Sequence, residues 1–312
     1  MSVNQTTTAR NKPHPGPGPA PDPAAVLELL KPVTWFPPMW AFGCGVISAG
    51  TGLAERWPLA ILGIVLAGPL VCAMSQAAND WYDRHVDAIN EPQRPIPSGR
   101  IPGTWGFRIA LFWTAVSLAV ATLLGPWGFA AALVAIIAAW AYSAPPIRLK
   151  SNGWLSCLVC GLSYETLPWI TGAVVMTQSA PAWEVVVIAT LYGLGAHGIM
   201  VLNDFKAIEG DRRLGLRSLP VILGPARAAR LACWVMFLPQ LLVVALLAVW
   251  AAPISAAIVA LLLALQLLAM RRLLQDPEGR APWYNATGVL LYVLGMLVSA
   301  IALGGLVTGD TP

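Results

Sequence analysis

Three aspartates share one face of a predicted helix near residue 80. Asp80, Asp83 and Asp87 are spaced i, i+3 and i+7, which aligns their side chains along that face. Like charges at this spacing repel by roughly a few tenths of a kcal/mol per pair, and by more in the low dielectric near lipid. Because a bound cation would remove this repulsion, the spacing predicts a metal site, to which the neighbouring Asn79 also contributes.

A second acidic group follows a similar Asn-Asp pair in the other half of the chain. Asn203 and Asp204 end an apolar segment, and Asp211 lies seven residues beyond Asp204, with Glu209 between them. The recurrence predicts two pseudo-repeated halves that place two acidic clusters face to face. Hard oxygen ligands with little His or Cys nearby suit Mg²⁺, which keeps coordination sites for waters and substrate phosphates.

Basic residues accompany both acidic clusters. Arg94 follows the first cluster, Lys206 follows the second Asn-Asp pair, and Arg148 and Lys150 end a further segment that contains Tyr142. Metal-bound carboxylates beside Arg and Lys at a membrane edge fit a diphosphate whose apolar tail lies among the helices. The less specific interpretation is a set of solvated loops, which the spacing and recurrence of the acids argue against.

The elements that must hold these residues are membrane helices. The chain is 57% hydrophobic and 11% charged, with a mean hydropathy of +0.67, whereas a soluble domain carries about 25% charged residues. Period-2 alternation is not evident, so the pattern predicts an all-α polytopic bundle rather than a β-barrel. Nine apolar runs approach the length of about 20 residues that crosses the hydrocarbon core. They cover 35–53, 58–79, 105–124, 126–142, 155–176, 183–203, 230–250, 252–271 and 286–307.

Charge distribution sets the predicted orientation of this bundle. With a cytoplasmic N-terminus, every basic residue except Arg56 lies in or beside the N-terminal segment and the loops after helices 2, 4, 6 and 8. The positive-inside rule therefore selects a cytoplasmic N-terminus and a periplasmic C-terminus.

The remaining composition bounds domains and partners. Residues 1–24 are rich in Pro, Gly and Thr and predict a disordered tail, which leaves 25–312 as a single transmembrane domain. A net charge of +4 gives no indication of a nucleic-acid partner, and the lipid bilayer is the partner that the composition requires. The five cysteines give no disulfide framework, and Cys157 and Cys160 are interpreted as packing thiols.

The first acidic motif carries a family resemblance. Its sequence, NDWYDRHVD (79–87), matches the NDxxDxxxD pattern of the UbiA-type membrane prenyltransferases. Longer stretches resemble the chlorophyll and bacteriochlorophyll synthase subgroup of that family, and the opening stretch is closer to the bacteriochlorophyll enzymes. They are LLKPVTWFPPMWAFGCG (29–45), NDWYDRHVDAINEPQRPIPSGRI (79–101), YSAPPIRLK (142–150), GLSYETLPW (161–169) and HGIMVLNDFKAIEGDRRLGLRSLPVILG (197–224). The resemblance covers about residues 25–308.

The resemblance implies a UbiA-like fold and a Mg²⁺-dependent prenyltransferase with two metal ions, for which Mn²⁺ is a potential substitute. In this subgroup the C17 propionate of bacteriochlorophyllide a receives a geranylgeranyl or phytyl chain from its diphosphate. Chlorophyllide as the acceptor stays open, as does the choice between the two donors. The implied location is the inner or intracytoplasmic membrane of a photosynthetic bacterium. Pigment-assembly partners are not identified.

The second acidic motif departs from the wider family. Where that family often has DxxxD, Asp211 is followed four residues later by Gly215. Glu209 could replace the lost carboxylate, but on an ideal helix it points about 140° away from Asp204. The expected ligands of the second metal are therefore Asp204 and Asp211, and their number stays open.

Two polar residues fall inside apolar runs. Glu165 lies near the middle of the fifth run, where an acid costs roughly 2.5–3.5 kcal/mol on insertion scales. We expect it to face a cavity, either orienting the tetrapyrrole or pairing with another polar group. His197 has two interpretations: a ligand for the central Mg of the pigment, or a side chain that packs between helices.

Three rival functions remain open from the sequence. One is another UbiA-type enzyme that acts on a quinone precursor or haem. The second is a divalent-cation transporter, although transport carboxylates are expected at mid-membrane depth, whereas these acids lie at helix ends. The third is a pigment-binding scaffold, which would not need acidic clusters beside diphosphate-binding cations.

Overall fold

A computed structural model describes residues 20–213 and 215–309, and within these ranges the chain forms helices and no strands. The expected disordered tail lies outside the described residues up to position 19, and helix α1 begins at Pro23, inside the predicted tail. The fourteen α-helices are α1 (Pro23–Leu29), α2 (Phe36–Ser48), α3 (Leu53–Val65), α4 (Ala73–Asn90), α5 (Trp105–Ala121), α6 (Gly125–Ser143), α7 (Gly153–Gly161), α8 (Leu167–Thr177), α9 (Trp183–Asn203), α10 (Ile208–Arg213), α11 (Leu219–Leu223), α12 (Pro225–Val249), α13 (Pro253–Leu273) and α14 (Pro277–Thr308).

Seven helical stretches of the described chain are long and apolar enough to cross a membrane. One of them, Trp105–Ser143, is divided at Gly125, whose φ of +77° interrupts the helix. Its halves, α5 and α6, pack against each other. Helix α2 has only 13 residues, or about 20 Å at 1.5 Å per residue. The count of nine transmembrane helices therefore stays a prediction, while the all-helical membrane bundle is confirmed.

Large apolar side chains cover the outside of the bundle. Leu238, Leu242 and Ile258 are among many exposed branched aliphatic residues on the long helices. A helix that is apolar on all sides is stable only inside a large core or in lipid. The chain is accordingly an integral membrane protein.

Two π-helical turns interrupt the long helices. Leu66–Cys72 joins α3 to α4, and Leu162–Thr166 joins α7 to α8. On either side of the second turn the helix changes partner, because α7 packs on α9 while α8 packs on α2. Such turns mark a local change of direction and are frequent at functional sites.

Glycines bring several helices into backbone contact. A Cβ on Gly45 of α2 would collide with the carbonyl oxygen of Trp169 on α8, and a Cβ on Gly161 of α7 would lie 2.5 Å from the carbonyl oxygen of Gly193 on α9. Small residues permit this close approach in membrane bundles. These glycines therefore allow α2 to pack closely on α8, and α7 on α9.

The helix that carries the first acidic motif is longer than predicted. Instead of ending near residue 79, the stretch continues from Leu53 through the π-helical turn to Asn90. The aspartates consequently occupy the last turns of this helix. Helix α14 also starts earlier than the predicted position 286, at Pro277.

Candidate active site

The acidic side chains of α4 lie on a face that also carries Cys72 and Gln76. The spacing from Cys72 through Gln76, Asp80 and Asp83 to Asp87 follows the helical repeat. Asp80 and Asp87 are buried, although they belong to the last turns of the helix. Buried carboxylates need partners, and the surrounding elements supply cations.

Asp80 is bound by cations from two separate segments. Lys31 Nζ lies 2.6 Å from Asp80 Oδ1, and Arg94 Nη1 lies 3.4 Å from the same oxygen. The same Arg94 nitrogen lies 3.0 Å from Asp87 Oδ2, and Arg94 Nε also pairs with Glu91. Burial lowers the pKa of the Arg94 guanidinium, but the surrounding carboxylates outweigh burial and leave that pKa above its usual value.

Asp83 is bound by the loop that follows α6. Lys150 Nζ lies 2.6 Å from Asp83 Oδ2, and Arg148 Nη2 lies 3.2 Å from Asp83 Oδ1. Burial lowers the pKa of the Lys150 ammonium, and the Asp83 carboxylate opposes this shift. These contacts also place the end of α6 on the same face of the bundle as the end of α4, so the chain leaves and returns to one side through α5 and α6.

The second acidic cluster lies beside α7. Asp204 begins a 3₁₀ turn, Asp204–Ala207, and Cys157 Sγ donates to Asp204 Oδ2 at 3.7 Å. On the adjoining helices, the hydroxyls of Tyr142 and Ser156 are hydrogen-bonded at 2.9 Å. Asp204 and Asp211 lie close enough for their charges to repel. Cys157 is therefore more than a packing thiol, because it contacts an acid of the site.

The end of α4 approaches the segment that carries the second motif. The side-chain oxygen of Asn90, at the end of α4, lies 3.0 Å from the position that a Cβ on Gly210 would occupy. Asn90 follows Asp87 by one helical turn, and Gly210 directly precedes Asp211. The end of the first motif thus packs against the helix of the second, at a glycine whose missing side chain permits the contact.

Four of the expected site residues show no contact with the acids of α4, and three of them bind other side chains instead. Glu209 is exposed and pairs with Arg213 at 2.9 Å, so the structure does not bring it to either acidic cluster. The amide of Asn203 accepts a hydrogen bond from Asn285 at 2.8 Å. Asn79 donates to Ser143 Oγ at 3.5 Å, and Lys206 is exposed.

Glu165 and His197 are buried, and each has one side-chain polar atom without a hydrogen-bond partner. Glu165 lies in the π-helical turn between α7 and α8, and its Oε2 has no partner in the described structure. His197 Nε2 is likewise unpartnered, and its ring lies 6.2 Å from that of Trp154. An unpaired buried polar atom costs free energy unless something else binds it.

An apolar cavity lies beside the N-terminal part of α4, away from the helix end that carries the first cluster. The cavity is partly open and lies between α2, α3, α4, α6 and α8, and with the open space at its mouth it comprises about 590 Å³. Both π-helical turns line it. Its polar end is formed by Cys72, Ser75 and Tyr164, and the Tyr164 hydroxyl accepts a hydrogen bond from Gln76 at 2.8 Å. Cys72 lies on the same face as Asp80, which follows it by eight residues, about 12 Å along the helix axis. The cavity therefore approaches the charged cluster along one helix face.

Mg²⁺ chemistry is compatible with the first cluster. Asp80 Oδ2 is buried and accepts no hydrogen bond, so a hard carboxylate oxygen is available to a cation. Among the described residues, no three His, Cys, Asp or Glu side chains form a ready-made metal cluster. Mg²⁺ does not require one, because it is commonly held by one or two carboxylates together with phosphates and waters.

Lys31 is the residue that sequence reasoning missed. The sequence indicates only that it is one of many basic residues on the predicted cytoplasmic side, yet its amine makes one of the two shortest ion pairs to the acids of α4. The one available signal was its position between a short amphipathic segment and Pro32. Nothing in that pattern indicates which acid it meets, because the contact spans 49 residues of sequence.

Comparison with known proteins gives concordant matches. The profile of the UbiA prenyltransferase family matches residues 35–301. The chain is 61% identical over 306 residues to the bacteriochlorophyll synthase 33 kDa chain of Cereibacter sphaeroides, covering 98% of this chain and 99% of that protein. It is 58% identical over 286 residues to the protein of the same name from Rhodobacter capsulatus, covering 91% and 94%.

A solved structure shares the fold. A UbiA homolog from Archaeoglobus fulgidus bound to DMAPP and Mg²⁺ superposes with a TM-score of 0.67 at 22% identity, covering 88% of this chain and 99% of that one. At this identity the likeness concerns the arrangement of the helices.

Proposed function

The chain belongs to the UbiA prenyltransferase family, and from this premise we propose that it acts as a bacteriochlorophyll synthase. The proposed reaction joins the C17 propionate of bacteriochlorophyllide a to a geranylgeranyl or phytyl chain and releases diphosphate. The observation that carries the proposal is the pairing of one charged cluster with one apolar cavity along a single face of α4. The two relatives that bear this name match nearly the full chain.

The cations of the site suit a diphosphate. Arg94, Arg148 and Lys150 converge on the α4 carboxylates from two loops. We propose that Asp80, Asp83 and Asp87 with Asn79 hold one Mg²⁺, and that Asp204 and Asp211 hold the second. When bound, these ions would offset the charge that develops on the diphosphate as it leaves. The three basic side chains would then bind phosphate oxygens rather than carboxylates.

The cavity suits the prenyl chain. Its lining is mostly apolar, with the uncharged polar side chains of Cys72, Ser75, Ser163, Tyr164 and Thr171, and it extends away from the charged cluster between membrane helices. Lipid offers similar burial to an apolar tail, so the cavity contributes positioning more than affinity. By excluding water, it would also protect an allylic cation at C1 from hydrolysis.

The chemistry needs no strong base. The C1–O bond of the donor breaks and diphosphate keeps the electron pair, while a propionate oxygen forms the ester bond to C1. The propionate is already ionised near neutral pH, because carboxylic acids titrate near pH 4. No proton has to be removed, which agrees with the absence of a recognisable Ser/His/Asp arrangement in the sequence.

Glu165 and His197 are proposed acceptor contacts. Each has an unpartnered buried atom, Glu165 Oε2 and His197 Nε2, on helices that border the site. His197 precedes Asp204 by seven residues, which places both on one side of α9, about 10 Å apart along the axis. Helix packing is the alternative role for His197.

A product assay tests the function directly. Purified protein with Mg²⁺ is incubated with bacteriochlorophyllide a, chlorophyllide a or 4-hydroxybenzoate, each with geranylgeranyl or phytyl diphosphate, and the products are identified by mass spectrometry. We expect esterified bacteriochlorophyllide a as the main product. Preferred prenylation of 4-hydroxybenzoate would contradict the proposal. Preferred esterification of chlorophyllide a would indicate a chlorophyll synthase instead.

A transporter is the different-class alternative, and the position of the acids disfavours it. The paired carboxylates lie at the ends of α4 and α9, whereas Glu165 is the acidic residue near the middle of its stretch. A cation pathway needs polar groups across the membrane. The cavity lining contains no charged residue and offers only a few hydroxyl and thiol groups.

A further inference from the structure

Lys31 reaches the acidic cluster from outside the transmembrane bundle. It lies between α1 and the 3₁₀ turn Pro32–Thr34, and its backbone adopts a left-handed conformation with φ of 47°. From there its amine lies 2.6 Å from Asp80 Oδ1, while Asp80 itself is almost fully buried. A side chain that precedes α2 thus neutralises the least exposed acid of α4.

The segment that carries Lys31 is fixed by contacts on both sides. Ala25 and Leu29 of α1 are fully buried in the apolar cluster formed with α4 and α5. Arg100 donates two hydrogen bonds to Glu28, at 2.5 and 2.9 Å, and the Trp35 indole donates to the Leu30 carbonyl at 2.8 Å. These contacts leave the Lys31 backbone little freedom, so its side chain is aimed at Asp80 by the fold.

Backbone strain recurs at the cations of this site. Among the described residues, Lys31 and Arg148 are two of only four non-glycine residues with positive φ, and each lies beside an acid of α4. A left-handed backbone is unfavourable for such residues and persists where the surrounding structure imposes it, often at functional sites. Two separate loops therefore each hold a basic residue in a strained backbone conformation, and both residues contact the same face of α4.

We propose that Lys31 is an internal counter-cation, which occupies Asp80 until a divalent metal arrives and then transfers to the diphosphate of the donor. This inference rests on the proposed prenyltransferase site. Asp80 cannot lie buried without a positive partner. A metal that binds the unpartnered Asp80 Oδ2 takes over the neutralisation of this carboxylate and repels the ammonium on Oδ1. The freed ammonium then has an incoming diphosphate as its strongest available acceptor.

The proposal requires opposite effects on two ligands. Removing the Lys31 amine removes a competitor for Asp80, so the affinity for a divalent cation alone should rise. The same change removes a phosphate contact, so the affinity for the donor in the presence of metal should fall. A purely structural lysine would weaken both or change neither.

The first measurement uses Mn²⁺ alone. Wild type and Lys31→Met are purified in detergent and titrated with Mn²⁺, with free metal followed by electron paramagnetic resonance and no substrate present. We expect about fivefold tighter binding in Lys31→Met. Lys31→Arg keeps the charge and should bind Mn²⁺ like wild type. Lys31→Gly removes the amine and also relieves the backbone strain, so it repeats the test if Lys31→Met folds poorly.

A matched control separates local competition from net charge. Arg84 neighbours Asp83, but its guanidinium lies 4.1 Å from the Trp81 ring centroid and donates to the Trp81 carbonyl. Arg84→Met removes one positive charge near the cluster and should leave Mn²⁺ affinity close to wild type. Equal tightening in Arg84→Met and Lys31→Met would overturn the proposal, as would unchanged affinity in both Lys31→Met and Lys31→Gly.

The second measurement uses geranylgeranyl diphosphate with saturating Mg²⁺ and no acceptor. Calorimetric titration should show about tenfold weaker donor binding in Lys31→Met than in wild type. Unchanged donor affinity overturns the transfer to diphosphate. The wild-type titration tests the proposed function, whereas the difference between variant and wild type tests Lys31, so the two failures are distinguishable.

Discussion

Asp80 is the most constrained side chain of the site, because it is buried, shared between two cations and left with one oxygen unpartnered. Such an acid is costly to fold unless its partners are in place. The surrounding cations satisfy the charge in the protein alone, and a metal with a diphosphate would satisfy it during turnover. The negative charge of Asp80 therefore needs a positive partner both in the folded protein alone and in the complex with its substrate.

Neutralising an acid of either cluster should stop catalysis without removing the protein from the membrane. Asp80→Asn and Asp204→Asn keep side-chain size but lose a metal-binding carboxylate, and we expect activity to fall at least about a hundredfold. Product formation and membrane content are measured together. Glu184→Gln, at the opposite end of α9 from Asp204, is the control. Wild-type turnover in either aspartate variant would refute the two-cluster site.

Arg148 provides a test of the phosphate position. Arg148→Ala leaves Lys150 as the partner of Asp83, so we expect the fold to persist and the KM for the prenyl diphosphate to rise about tenfold, with a smaller effect on the acceptor KM. Steady-state kinetics with each substrate varied separately make the measurement. Arg108→Ala, whose guanidinium lies over Trp105, is the control. An unchanged donor KM would mean that the phosphates lie elsewhere.

At the scale of elements, the site depends on how closely the helices approach. Helix α8 packs on α2, and the π-helical turn that precedes α8 lines the cavity between them. This contact uses Gly45 and Gly172, each facing backbone atoms of the other helix. Separation of α2 and α8 would widen the cavity and shift the Tyr164 hydroxyl that borders its polar end.

Gly45→Ala should therefore destabilise the bundle. Its new methyl group would lie 2.9 Å or less from backbone atoms of Trp169, and overpacking of this kind costs about 1–3 kcal/mol. Thermal unfolding in detergent should show a lower Tm. Gly43→Ala is the matched control on the same helix, because a Cβ there meets no atom within 4 Å. An equal Tm for both variants would show that the close approach is not essential.

For the whole molecule, the contact of Lys150 with Asp83 decides the path of the chain. Because the end of α6 returns to the face where α4 ends, α5 and α6 should be two crossings joined at Gly125. Nine crossings would place the N-terminus and the C-terminus on opposite sides of the membrane. The positive-inside rule predicts that the N-terminal side is the cytoplasmic one.

Reporter fusions test this path. Alkaline phosphatase inserted at Gly125 or fused to the C-terminus should be active in the periplasm, and the same enzyme inserted between α6 and α7 should be inactive. Activity is measured against expression of each fusion. An inactive reporter at Gly125 would mean that α5 and α6 do not cross separately, and the nine-helix count would then be wrong.

Metal removal tests whether esterification depends on divalent ions bound at the two acidic clusters. EDTA should abolish esterification, and added Mg²⁺ should restore it, because the diphosphate charge would otherwise face buried carboxylates. Product formation is followed through chelation and re-addition, with Ca²⁺ as a comparison ion of different size. Full activity in excess chelator would rule out a role for the divalent ions.

The sequence by itself determined the membrane class, the helical architecture and the first acidic face. Length and apolarity decide whether a helix can enter lipid, and the spacing of Asp80, Asp83 and Asp87 fixes a shared face on any helix. Arg94, Arg148 and Lys150 could also be predicted, since they lie at the same helix ends. These are local properties, expressed within a few turns.

Only the tertiary structure decided which side chain each acidic residue of the site contacts. The pairing of Lys31 with Asp80, the contact of Cys157 with Asp204 and the outward turn of Glu209 depend on how distant segments pack. The approach of Asn90 to Gly210 likewise depends on the close packing of two halves of the chain. Hydrophobic periodicity carries no information about such partners, because lipid-facing and helix-facing positions are both apolar in a membrane bundle.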